Sequence, residues 1–100
     1  MSTNRIRGQA TAILAGAERT LCLTLGALAE IETALNVRGV GELAERMRSL
    51  SATDLLAVLA ALLRGGGEDE LANALHVSPI DPREGAEAVA MTFAAVAPDA

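Results

Sequence analysis

The chain has no tryptophan, no tyrosine and a single phenylalanine, Phe93. It has no lysine either: its eight basic residues are all arginines, scattered from Arg5 to Arg83, and thirteen acids leave a net charge of −5. A nucleic-acid binder needs a basic stripe to release counterions and aromatic rings on which bases stack, so that class is excluded. A lone cysteine, Cys22, rules out an internal disulfide and suits a reducing cytoplasm. A lone histidine, His76, has no nearby ligand-type residues that would make it a metal site or a catalytic dyad, and it reads as a residue near a helix end. The longest unbroken apolar run, Leu55–Leu63, is too short to span a bilayer. Met1–Arg7 carries two arginines, but no apolar stretch of signal-peptide length follows it. The expectation is a cytoplasmic protein that binds neither nucleic acid nor membrane.

What fills the chain instead is alanine and leucine. Hydrophobic residues make up 51% of the 100 residues, and 21 of them are alanine. That composition favours close helix packing over a thin core. It suits one domain spanning residues 1–100, with modest stability unless something binds and adds buried surface.

The most apolar segment, Ser51–Gly67, has the clearest start and stop signals. Ser51 is an N-cap, and Asp54 three residues on favours the positive helix end. Leu55, Leu56, Val58, Leu59, Leu62 and Leu63 cover an arc of roughly 160° at helical spacing. Thr53, Ala57, Ala61 and Arg64 lie on the other side. Gly65, Gly66 and Gly67 supply a left-handed cap and then slack. A helix this apolar needs cover on most of its circumference, so it is the expected centre of the fold.

Residues 9–25 read as a β-hairpin. Leu21, Leu23 and Leu25 alternate with Thr20, Cys22 and Thr24, Gln9–Ala15 is a weaker strand, and Gly16–Arg19 is the expected turn. Such a hairpin is marginal alone and must dock on helices, and its edges can pair with another chain. Residues 25–97 read as helical. Thr24 caps a helix over Leu25–Leu35, and the glycines of Asn36–Gly41 break it. A third segment over Gly41–Leu50 places Leu43, Met47 and Leu50 on one side. A short helix with Glu68, Asp69 and Glu70 in its first turn follows the triple glycine. Asp81, Pro82 and Glu84 start a last helix reaching Ala97, with Pro98 as its stop and Ala86, Val89, Phe93 and Val96 inward. The fold class is therefore α+β and mostly α: an N-terminal hairpin, then about five helices around a central apolar one.

Chemistry-bearing motifs are sparse. The triple glycine follows a helix, lacks a lysine and leads into three acids, which is the wrong context for a phosphate loop. Those acids lack the alternate spacing of a calcium loop and suit a solvated helix start. No catalytic, cofactor-binding or metal residues are assigned, and no enzyme is expected. The candidates that remain are small-residue contact surfaces, on which another helix can lie close: Ala57 and Ala61 on the central helix, and Ala88, Met91 and Ala95 on the last.

Several segments together resemble a known family. They are Arg5-Ile6-Arg7-Gly8, Thr20–Glu32, Gly41–Arg46, Leu50–Leu55 and Leu62–Gly67. In order and spacing they are similar to a small tail-protein family of gene transfer agent clusters, which are prophage-like and typical of alphaproteobacteria. The resemblance covers Arg5–Gly67; from Glu68 onward only the helical character agrees. Families of this kind are described as phage tail assembly chaperones, and in some descriptions as tail tube proteins. The resemblance implies a non-catalytic protein that binds the tape measure protein, the tail tube protein or both during tail assembly. The structural alternative is a tube subunit retained in the particle. A homo-oligomer is compatible with either.

Overall fold

The computed structural model describes residues 8–96. Two strands, β1 (Gln9–Leu14) and β2 (Ala17–Cys22), form an antiparallel hairpin with Leu14 opposite Ala17 and Gln9 opposite Cys22. Five helices follow: α1 (Leu25–Leu35), α2 (Gly39–Arg46), α3 (Ala52–Gly65), α4 (Asp69–Asn73) and α5 (Pro82–Ala94). Short 3₁₀ turns extend α2 over Met47–Ser49 and α4 over Leu75–Val77. The α+β, mostly helical architecture is the one read from the sequence.

The capping residues act as expected. The Thr24 hydroxyl accepts from the Ala27 amide at 3.0 Å, Ser51 from Asp54 at 3.1 Å, and Asp81 from Arg83 at 2.8 Å. Asn36 ends α1 in the left-handed conformation (φ 57°), which asparagine tolerates better than most residues.

The centre of the fold is α3. It contacts β2, α1, α4 and α5, and Val58, Leu59, Ala61, Leu62 and Leu63 are all buried. Around it lie Leu14 and Leu21 from the hairpin, Ile31 and Leu35 from α1, Leu71 and Leu75, and Val89 from α5. Arg46 binds three elements at their ends. It reaches the Leu35 carbonyl at 2.9 Å and pairs with Asp54 at 3.1 Å, fixing α2 against the end of α1 and the start of α3.

Five expectations are corrected. The hairpin turn is Ala15-Gly16 rather than Gly16–Arg19, and both residues have positive φ (53° and 81°), the primed turn that matches strand twist. Leu25 does not continue the apolar strand face; it opens α1 and is 83% exposed. The third helical segment starts at Gly39 and tightens to 3₁₀ after Arg46. Along α5 the buried side is Gly85, Ala88, Val89 and Thr92, while Ala86 is exposed. Small residues face α3 because the helices approach closely: a Cβ on Gly85 would sit 3.3 Å from Leu59 Cδ2. Buried Thr92 is satisfied by donating to the Ala88 carbonyl at 2.8 Å. The expected stop at Ala97 and Pro98 lies outside the described residues.

The triple glycine is the fifth correction. It is not slack. Gly67 is left-handed (φ 87°), its amide reaches the Arg64 carbonyl at 3.1 Å, and the Glu68 amide reaches Leu63 at 2.8 Å, which is a Schellman cap. Gly65 and Gly66 are pressed against β2. A Cβ would lie 2.1 Å from the Cys22 carbonyl oxygen at Gly65, and 2.0 Å from that of Thr20 at Gly66.

Candidate interaction surfaces

The five small-residue candidates do not share one accessible surface. Ala61 and Ala88 are fully buried, at 0% and 1% exposure, between α3 and its neighbours. Ala57 is half-buried and packs on the core. Ala95 is half-buried beyond the end of α5, where its carbonyl accepts the Gly8 amide at 3.1 Å. Met91 is the open one, at 48%. Counting alanines on the less leucine-rich side could not reveal this, because α3 is enclosed from more than one direction.

Two features stand out in their place. The first is an open apolar cleft of about 180 Å³ between the first half of α3, the 3₁₀ turn after α4 and the start of α5. Leu55, Leu56, Leu59, Leu75 and Ile80 supply its walls, with His76, Ser78 and Asp81 among the polar groups. Leu56, expected inward, stands at its rim and is 39% exposed. His76 is exposed in the 3₁₀ turn, as its position near a helix end implied.

The second feature is the asymmetry of the hairpin edges. On β2 the outer edge is covered: the Thr20 amide donates to Glu68 Oε2 at 2.9 Å, and Gly65 and Gly66 lie against the Cys22 and Thr20 carbonyls. Glu68 also pairs with Arg19 at 3.7 Å, so it is a docking group for β2 rather than one of three solvated acids. On β1, Gly8 accepts from Leu23 at 2.9 Å, which continues the inward-bonding alternation through Ala10, Ala12 and Leu14. Gln9, Thr11 and Ile13 therefore aim their amides and carbonyls outward, and among the described residues these groups have no hydrogen-bond partner. Ile13 is 66% exposed on the same strand.

The remaining polar side chains serve the fold. Arg64 pairs with Glu30, joining α3 to α1, and Glu32 accepts the Gly39 amide at 2.9 Å, bracing the loop after α1. Cys22 is buried against the end of α3. Among the described residues no group of His, Cys, Asp or Glu could hold a metal, and every buried side-chain nitrogen or oxygen has a partner. No helix among them is long and apolar enough to cross a membrane.

Fold and surfaces together define a small, mostly helical protein whose distinctive features are contact surfaces. The family model described as phage tail tube protein, GTA-gp10, matches residues 7–97, and the chain belongs to that family. The match extends past Glu68, where the sequence resemblance carried nothing, and includes the cleft-forming half of the molecule. No curated protein and no solved structure matches the chain.

Proposed function

We propose that this protein is a non-enzymatic assembly chaperone or adaptor for a gene transfer agent tail. It would act in the cytoplasm as one domain and bind the tape measure protein, the tail tube protein or both. The observation that carries this reading is the hairpin. Tube subunits rely on extensive sheet pairing between neighbouring protomers, and an open polymer of that kind needs two available edges on each copy. Among the described residues the sheet has two six-residue strands, and the outer edge of β2 is covered by the end of α3 and by Glu68. The apolar cleft and exposed Met91 are the surfaces on which a partner segment would dock.

A second reading, a structural tube subunit, is favoured by the family's own description. Co-expression with the tape measure protein of the same cluster separates the two readings when combined with mass spectrometry of finished particles. The chaperone reading expects a co-purifying complex and little of this chain in the particle. Abundance in the particle without such a complex would establish the tube subunit instead.

A further inference from the structure

We propose that α2 and its 3₁₀ extension, residues 39–49, form a hinged lid that opens while the rest of the fold stays intact. Few groups hold this segment down. Only Leu43 is fully buried along its length, and Met47 packs on the core from a half-buried position. Val40 stands on the outer side, 66% exposed. Gly39 is the hinge: it begins the helix at φ 75°, where a residue with a side chain is strained, and it has open space around it. The Glu32 carboxylate of α1 accepts the Gly39 amide at 2.9 Å and pins the hinge. At the other end of α2, Arg46 is the latch. Its guanidinium donates to the Leu35 carbonyl at 2.9 Å and pairs with Asp54 at 3.1 Å, both on other helices.

The contrast with α3 sets the direction of the inference. That helix is enclosed by β2, α1, α4 and α5, whereas among the described residues α2 packs extensively only on its own extension. The free energy of local opening follows the contacts that opening breaks, so α2 needs far less than α3. An eight-residue helix containing Gly39 and Gly41 also has little stability of its own. Leu43 shares the core with Leu35 and Val37 at the end of α1. Opening therefore uncovers an apolar surface there and leaves the packing of α3 on the hairpin and on α5 in place.

Native-state hydrogen exchange of the full chain, read amide by amide, tests this. Leu43–Arg46 should be protected at least about tenfold less than Leu59–Leu63, with little dependence on low urea, because lid opening exposes little surface. Leu59→Ala is the discriminating variant, since Leu59 lies against α5 in the open and closed forms alike. It should lower protection in α3 by about thirtyfold or more and leave α2 within about twofold of wild type. Arg46→Met keeps an unbranched apolar stem but loses the latch, and should lower α2 protection by about tenfold. Equal protection of α2 and α3 in the wild-type chain would overturn the proposal, as would Leu59→Ala lowering both by the same factor. Unchanged α2 protection in Arg46→Met would overturn the latch. If Leu59→Ala does not fold, the urea dependence of the wild-type chain decides, and a slope for α2 as steep as that for α3 overturns the lid. No tail protein enters the readout, so failure here and failure of the chaperone reading are distinguishable.

Discussion

Replacing Gly66 by alanine is the sharpest test of how α3 is seated. The added Cβ would stand 2.0 Å from the Thr20 carbonyl oxygen, 2.5 Å from its carbon and 3.0 Å from the Leu21 amide nitrogen. These are main-chain atoms of a paired strand, so no side-chain rotation relieves the clash. β2 must retreat by about an ångström to restore ordinary contact. That displacement takes the Thr20 amide off Glu68, a charge-assisted bond whose loss costs about 1.5–3 kcal/mol. Overpacking adds about 1–3 kcal/mol. The lower freedom of alanine in the unfolded chain offsets up to about 1 kcal/mol of this, leaving a net loss of about 1.5–6 kcal/mol. Against a total stability of about 5–15 kcal/mol, urea melts should show a severely weakened or unfolded protein. Two other glycines calibrate the result. Gly67→Ala meets no neighbouring atom but has φ 87°, so it should cost only about 1–2 kcal/mol. Gly41→Ala, in α2 with open space around it, should gain up to about 1 kcal/mol. A Gly66→Ala chain no less stable than Gly67→Ala would refute the packed junction and restore the expectation of slack after the cap.

The other expectations are read by the same melts. Leu59→Ala removes a side chain 3% exposed at the contact of α3 with α5 and should cost about 2–5 kcal/mol; no loss would mean that the site collapses or is wet. Ala15→Asn relieves a non-glycine residue at φ 53° in the hairpin turn and should stabilise by about 0.5–1 kcal/mol, whereas a loss would contradict the primed turn. Glu68→Ala leaves the half-buried Thr20 amide without its acceptor and should cost about 1–3 kcal/mol, while Asp69→Ala, on an exposed residue, should change stability by less than about 1 kcal/mol. Equal effects of the two would mean that Glu68 is as solvated as its neighbour.

The sequence made the helix starts legible because caps are local. Thr24, Ser51 and Asp81 each satisfy amides two or three residues away, and nothing distant can alter that requirement. The central place of Ser51–Gly67 was legible for a different reason: no arrangement leaves so many leucines in water. The contact surface was mostly not legible. Ala61 and Ala88 look the same in sequence as exposed alanines, and their burial depends on how closely α3 and its neighbours approach. On α5 the expected Val89 is buried and Phe93 packs on the core, but Ala86 was misplaced, since the close crossing puts Gly85 rather than its neighbour against Leu59.

By itself, then, the sequence determined the element types and order, the capped helix boundaries and the identity of the central helix. Each of these follows from hydrogen bonds within a few residues or from hydrophobic periodicity. Tertiary structure alone decided that Gly65 and Gly66 are a main-chain contact and that Glu68 belongs to β2. Those outcomes turn on distances between segments more than 40 residues apart, such as the 48 between Thr20 and Glu68. No local pattern encodes such a distance; it is set by the way the hairpin and five helices share one core.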